Sequence, residues 1–454
     1  MTRLFGTDGV RGVANKDLTP ELAMEIGRAG AYALSGKKPP KVLIGTDTRL
    51  SSDMLEAALV AGLCSVGAEV HRAGVVPSPA MAHLVRHYKM DAGVMLSASH
   101  NPMPDNGIKF FDKDGFKLSD EIEDRIEELI RKTSSEIPRP TSEGVGRAIL
   151  REEASKDYVD FLLSTLQGSG SNEMPLSGMT LALDCANGAT SATAAIAFEK
   201  LGAKCFILHD KPDGKNINAN CGSTHMESLQ KFVKANKVDM GFAFDGDGDR
   251  VLCVDELGEE LDGDCIMAVL GQAMNRSGRL KNNTIVVTVM SNMGFEIFCK
   301  ENDINFIRTA VGDRYVIQEM KTGGYNLGGE QSGHIIISDF NTSGDGILTG
   351  LHLAAVLKES GKTFSELRKI MAPLPQVLLG AKLGSRQKID VRENKEVATA
   401  MDKVEAELGD KGRLLIRPSG TEPLVRVMIE GSDQSIIEKH ANDLVAVIEK
   451  NFAN

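Results

Sequence analysis

The stretch KVLIGTDTRLSSDMLEAALVAGLCSVG (Lys41–Gly67) changes its hydrophobic period halfway along. KVLIGTDTR reads as an apolar strand running into a polar turn, and SSDMLEAALVAGLCSVG as an amphipathic helix. EVHRAGVV (Glu69–Val76) follows as a second strand and DAGVML (Asp91–Leu96) as a third. Strands that alternate with helices in this way predict a parallel sheet.

The same plan recurs twice. MTLALDCANGAT, the helical SATAAIAFEKLG, AKCFILHD and VDMGFAF make one copy; NNTIVVTVMSNMG, FEIFCKEND, INFIRTAV and GYNLGGEQSGH make the other. The copies share an order of elements and no sequence period, so they are separate domains and not a solenoid. After Ile370 the pattern changes to a hairpin, RLLIRPSGTEPLVRVMIEG, and a closing helix, SDQSIIEKHANDLVAVIEKNF. We therefore expect three similar α/β domains with mixed, mostly parallel sheets, and a smaller C-terminal α+β domain, around a central cleft. The expected boundaries are 1–153, 154–255, 256–369 and 370–454, with the Gly/Ser-rich Leu166–Gly178 as a surface connection early in the second domain.

Composition narrows the function. The 454 residues carry a net charge of −11 and no Lys/Arg blocks, which leaves no electrostatic footprint for nucleic acid. Seven dispersed cysteines without C-x-x-C argue against a disulfide framework or a zinc ribbon, and Cys253, in RVLCVDE, reads as buried packing. The start, MTRLFGTDGV, has no apolar signal core, and no run approaches the ~18 residues of a membrane helix, so we expect a cytoplasmic protein without a membrane partner.

Parallel sheets present ligand-binding loops at the carboxyl ends of their strands. In each copy the most unusual loop follows the same strand: SASHNPMPDNG, DGDGDR and GGEQSGH. In DGDGDR, alternation along an extended loop would bring Asp245, Asp247 and Asp249 to one side, where three carboxylates call for a hard divalent cation and suit Mg²⁺. An EF-hand is a rival reading, with Glu256 at its twelfth position, but Arg250 in place of the required glycine and flanking strand patterns argue against it. RPSGTEP gathers Arg417, two hydroxyls (Ser419, Thr421) and the amides around Gly420, the parts of a phosphate cradle, with Arg426 as a second cation. Glu330 and Ser332 in GGEQSGH suit the vicinal hydroxyls of a sugar, although the stretch taken alone also reads as a tight Gly-rich turn, and His334 reads as structural.

Ser99 is flanked by His100, whose side chain, on the adjacent residue, should point the other way. A hydrolase elbow has the form G-x-S-x-G, which this loop lacks. A phosphorylated serine fits better, with Mg²⁺ neutralising the phosphoryl group and Arg11, Lys109 and Arg250 stabilising its transfer.

In this order FGTDGVRG, SASHNPMPDNGIKFF, DGDGDR, GGEQSGH and RPSGTEP resemble the α-D-phosphohexomutase superfamily over essentially the whole chain. FGTDGVRG and the SGTEP form resemble its amino-sugar branch more than its phosphomannomutase/phosphoglucomutase branch. The resemblance implies a phosphomutase, of the isomerase class, acting on a hexosamine phosphate through a sugar 1,6-bisphosphate. It implies a phosphoryl group on Ser99, with Mg²⁺ held by Ser99, Asp245, Asp247 and Asp249. Arg11, His100, Lys109 and Arg250 would surround the transferring group, with Lys109 or His100 as acid or base. Glu330 and Ser332 would contact the sugar; Arg417, Ser419, Gly420 and Thr421 would hold the phosphate that is not reacting. A homodimer is the implied assembly. Two other readings make different demands. An aspartate-nucleophile phosphatase would have no use for Ser99, and a sugar-phosphate sensor would need neither Ser99 nor the metal.

Overall fold

The computed structural model describes residues 3–6, 8–34, 38–132, 136–167, 174–384, 390–418 and 424–452. Ser419, Gly420 and Thr421 of the expected phosphate cradle lie outside the described residues, as does 168–173 of the Gly/Ser-rich connection. The chain divides into two compact units, Met1–Met290 with Ile304–Ile370, and Ser291–Asp303 with Met371–Asn454.

Among its described residues the first unit holds three sheets. In the first, β1 (Val10–Val13), β2 (Lys41–Thr46), β3 (Glu69–Val75), β4 (Ala92–Leu96), β5 (Asp105–Asp112) and β6 (Arg147–Leu150) run in the order β1-β5-β4-β2-β3-β6. The second places β7 (Thr180–Asp184), β8 (Lys204–Leu208), β9 (Met240–Phe244), β10 (Val251–Asp255) and β11 (Glu260–Leu261) in the order β11-β10-β9-β7-β8. The third orders β12 (Thr284–Thr288), β13 (Asn305–Thr309), β14 (Leu327–Gly329) and β15 (Ile335–Ile337) as β13-β12-β14-β15.

One wiring recurs. A central strand (β2, β7, β12) has a parallel neighbour on each side, and the second of these (β4, β9, β14) is followed by an antiparallel strand (β5, β10, β15). The loop that joins the parallel strand to the antiparallel one carries Ser99, Asp245–Asp249 or Glu330. Strands β4, β9, β10 and β12 are buried from end to end, as strands covered on both faces must be.

The second unit contains β16 (Gln376–Lys382), β17 (Gly412–Pro418) and β18 (Leu424–Gly431), an antiparallel sheet in the order β16-β18-β17. Helices Met293–Glu301, Lys395–Leu408 and Gln434–Phe452 belong to this unit. Buried Glu430 accepts from Arg413 Nε (2.9 Å) and from the Met293 amide (3.1 Å), which ties the 291–303 segment to the sheet. Among the described residues no helix is long and apolar enough to cross a membrane.

One expected helix is cut short. Of the stretch SATAAIAFEKLG (191–202), the first two residues close a 3₁₀ turn (Ala189–Ala192) and only Ala194–Lys200 is α-helical; the Ala189 amide that opens the turn donates to the Gly246 carbonyl (2.8 Å). In the first sheet's helical layer, α1 (Pro20–Leu34) and α2 (Ser51–Cys64) meet closely enough that a Cβ on Gly62 would lie 2.2 Å from the Met24 carbonyl oxygen. Only a residue without Cβ fits there. Gly62→Val should therefore destabilise the protein by about 1–3 kcal/mol through overpacking. A fall in the denaturation midpoint relative to wild type, with the far-ultraviolet spectrum of the folded state unchanged, is the expected result.

Candidate active site

The Ser99 loop follows a fully buried strand and bends at once. Ser99 is 2% exposed and adopts a left-handed backbone (φ 52). That bend turns its side chain toward the second sheet, where Oγ donates to Asp245 Oδ2 at 2.6 Å. It also corrects the expectation that the Ser99 and His100 side chains diverge, since Ser99 Oγ and His100 Nδ1 stand 3.3 Å apart. Strict alternation of neighbours holds for extended backbone, and this residue is not extended.

The bend is held by a clamp with no obvious mark in the sequence. Arg49, paired with Asp47 in a bridge from which solvent is excluded, reaches into the loop. Its Nη1 donates to the carbonyls of Pro102 (2.6 Å) and Asp105 (3.0 Å), and its Nη2 to those of Ser99 (2.9 Å) and Asn101 (2.8 Å). Asp47 Oδ2 accepts from Arg49 Nε (2.9 Å) and Ser97 Oγ (2.6 Å), and Ser97 Oγ in turn accepts from the Ser99 amide (3.0 Å). On the other side Asn218 Nδ2 donates to the same two carbonyls, Ser99 (2.9 Å) and Asn101 (3.0 Å). A Cβ on Gly246 would sit 2.7 Å from both Asn218 Nδ2 and the Ser99 oxygen, so the aspartate turn approaches this clamp at backbone distance.

Asp245, Asp247 and Asp249 are all buried, and one oxygen from each lies within 4.8 Å of the others. They converge as expected, though by a turn with Gly248 at φ 72 and not by the alternation of an extended loop. Burial, compounded by the Asp249 and Asp247 carboxylates, pushes the Asp245 carboxyl well above the usual range. Asp247 Oδ1 and Asp249 Oδ1 are buried without a hydrogen-bond partner. Bare acceptors and accumulated negative charge fit a divalent cation, and an all-oxygen set suits Mg²⁺.

Cations surround this turn. Lys109 Nζ lies 2.9 Å from Asp247 Oδ2 and 3.0 Å from Asp8 Oδ2. Burial alone would lower the Lys109 ammonium, but these two carboxylates more than reverse that, and it stays protonated. Arg11 pairs with Asp8, and Arg250 Nε lies 3.9 Å from Asp249. Burial, with the Arg250 and Arg11 guanidiniums beside it, pushes His100 down to about 4, so its imidazole is neutral near neutral pH. His334 faces Asp249 and Asp313, each at 3.6 Å; these carboxylates overcome the effect of burial and raise it to about 9. Lys117 bridges Asp8 and Asp313, each at 2.5 Å. The sequence reading missed Asp8, Lys117 and Asp313. Asp8 lies inside FGTDGVRG and was legible there, whereas Lys117 and Asp313 belong to no motif.

Glu330 sits at the end of β14, half-buried, where its Oε1 accepts from the Gly312 amide (3.1 Å) and its charge helps to hold the Arg250 guanidinium protonated. Ser332 is exposed on the same loop. In the second unit Arg417 and Arg426 stand directly opposite each other on β17 and β18, so the two expected phosphate-binding cations share a strand register.

Matches to known proteins cover all of these elements. Residues 2–136, 156–258, 262–374 and 378–447 match, in turn, domains I, II and III (alpha/beta/alpha) and the C-terminal domain of phosphoglucomutase/phosphomannomutase. A phosphoglucosamine mutase of Clostridium botulinum is 55% identical over 451 residues, covering 99% of each chain. One from Acetivibrio thermocellus is 55% identical over 454 residues, covering 100% of each. Among solved structures, a phosphoglucomutase/phosphomannomutase family protein from Burkholderia thailandensis shares the fold with a TM-score of 0.80 at 22% identity, covering 99% of this chain and 98% of that one.

The clamp makes a prediction about the Ser99 loop. Arg49→Met removes hydrogen bonds to four main-chain carbonyls, each worth about 1.5–3 kcal/mol when the donor is charged. Amide exchange across residues 98–105 should accelerate at least ~100-fold, while exchange in the second unit is unchanged. Mass-resolved hydrogen exchange measures both.

Proposed function

The chain belongs to the phosphoglucomutase/phosphomannomutase family, and from that premise we propose that it interconverts glucosamine 6-phosphate and glucosamine 1-phosphate through a phosphoserine at Ser99 and a glucosamine 1,6-bisphosphate. The observation that carries this reading is the 2.6 Å approach of Ser99 Oγ to Asp245, inside a buried triad with bare acceptor oxygens. Asp245, Asp247 and Asp249, with an oxygen on Ser99, would hold Mg²⁺. Bound there, the ion supplies positive charge against the phosphoryl oxygens.

The residues of this chain do the rest. The Ser99 Oγ–phosphorus bond breaks as a bond forms from phosphorus to the free 1- or 6-oxygen of the sugar monophosphate. The proton of that sugar hydroxyl needs an acceptor. Of the two candidates, the neutral His100 imidazole accepts it, while Lys109, kept protonated by Asp247 and Asp8, acts as a cation and donor. Arg11 and Arg250 offset the charge that spreads over the phosphoryl oxygens in flight. The bisphosphate then turns end for end, its other phosphate returns to Ser99 Oγ, and the proton goes back to the sugar oxygen released. No atom is gained or lost, as an isomerisation requires.

Glu330 and Ser332 orient the sugar through its hydroxyls. Arg417 and Arg426, with Ser419, Gly420 and Thr421, hold the phosphate that is not reacting, whichever end it occupies. A cytoplasmic location and a homodimeric assembly complete the reading, the second checked by light scattering.

The purified protein, with Mg²⁺ and a trace of sugar bisphosphate, should convert glucosamine 6-phosphate in strong preference to glucose 1-phosphate and mannose 1-phosphate. Intact mass should show a phosphoryl group on wild type that Ser99→Ala lacks, along with the activity. A preference for glucose or mannose phosphates would keep the chemistry and change the substrate; full activity in Ser99→Ala would overturn the phosphoserine. Asp247→Asn should lower kcat by about 10²–10³-fold, the scale for losing one preorganised electrostatic group. Chelation should abolish turnover, and added Mg²⁺ should restore it.

A further inference from the structure

Strands β7 and β8 carry a second convergence of ligating groups, outside the aspartate turn. Asp184 ends β7 and is fully buried. His209 follows β8, and Cys221, also fully buried, precedes the 3₁₀ turn Gly222–Thr224. One donor atom from each lies within 4.8 Å of the other two.

The contacts among them are not those of a finished hydrogen-bond network. Asp184 Oδ1 accepts from the Ala186 amide (2.9 Å). Its Oδ2 lies 3.0 Å from His209 Nδ1, a contact that raises the imidazole above its ordinary value, and neither atom has any other hydrogen-bond partner. Cys221 Sγ receives a long contact from Asn187 Nδ2 (3.8 Å). Between them the pair and the nearby Cys221 Sγ offer three donor atoms of different kinds to one point, which a single cation could share after a small outward shift.

We propose that Asp184, His209 and Cys221 form a second metal site, for Zn²⁺. A thiolate, an imidazole and a carboxylate make a mixed S/N/O set of the kind zinc takes, whereas the all-oxygen set of Asp245, Asp247 and Asp249 suits Mg²⁺. His209 is part-exposed, with 31% of its side chain open to solvent, which leaves room for water as a fourth ligand. The site would join the ends of two parallel strands to the segment leading into Cys221. That segment carries Asn218, whose amide holds the Ser99 and Asn101 carbonyls. Zinc here would stiffen the clamp on the reactive loop without touching substrate.

The test uses the full chain, stripped with chelator and then titrated with Zn²⁺ or with Co²⁺ as a spectroscopic probe. Wild type and Asp247→Asn should each retain about one equivalent of zinc at this site after dialysis, and their cobalt forms should show thiolate-to-metal charge-transfer absorption in the near ultraviolet. Cys221→Ser and His209→Ala should bind at least tenfold more weakly, and Cys221→Ser should lose the charge-transfer band. Zinc should also protect Cys221 of wild type from alkylation, read peptide by peptide, which keeps the test decisive if a variant fails to fold. Equal zinc retention by wild type and Cys221→Ser, a cobalt spectrum without a thiolate band, or an alkylation rate at Cys221 that zinc does not change would each overturn the proposal and leave a plain Asp–His pair.

Discussion

Three carboxylates in one buried turn dominate the electrostatics of this protein. At a few ångströms, each like-charged pair costs roughly 4 kcal/mol even at an effective dielectric of 20. The surroundings are arranged around that cost. Lys109 faces Asp247, His334 faces Asp249, and Ser99 donates to Asp245. The compensating cations need partners of their own, which brings in Asp8, Asp313 and Lys117. The result is a chain of alternating charges drawn from strands, loops and a helix start around the sheets of the first unit. Most members share a partner with the next, as Asp8 does between Arg11, Lys109 and Lys117, so effects of substitutions along it should couple and not add.

The sheets make that network possible by a shared accident of wiring. Wherever a parallel strand gives way to an antiparallel one, the connection is short and turns sharply at the carboxyl end of the sheet. The Ser99, aspartate and Glu330 loops all occupy this place. A helical crossover would have carried the chain away over the sheet's face; a reversal keeps it at the rim, where loops from neighbouring sheets can meet.

Much of this was legible in the residues themselves. Period changes such as that of Lys41–Gly67 mark the α/β repeats because period 2 and period 3.6 bury different faces. The spacing of Asp245, Asp247 and Asp249 marked three carboxylates that do converge, although the convergence comes from a turn. What stayed hidden was of two kinds. The positions of Lys117 and Asp313 depend on how separate sheets pack, and no local pattern encodes that. Arg49 looks like an ordinary charged residue in a polar turn, and only the fold shows four carbonyls converging on it. The direction of the His100 side chain was misread because the left-handed bend at Ser99 is set by that distant clamp.

That bend also restricts what evolution can try at the reactive position. Threonine offers the same hydroxyl as serine, and by chemistry alone the two are interchangeable acceptors of a phosphoryl group. A β-branched side chain at positive φ, however, is a genuine backbone outlier. Position 99, at φ 52, therefore admits serine and all but closes the path to threonine. For the residue proposed to carry the phosphoryl group, the choice of side chain is thus constrained by main-chain geometry as much as by reactivity.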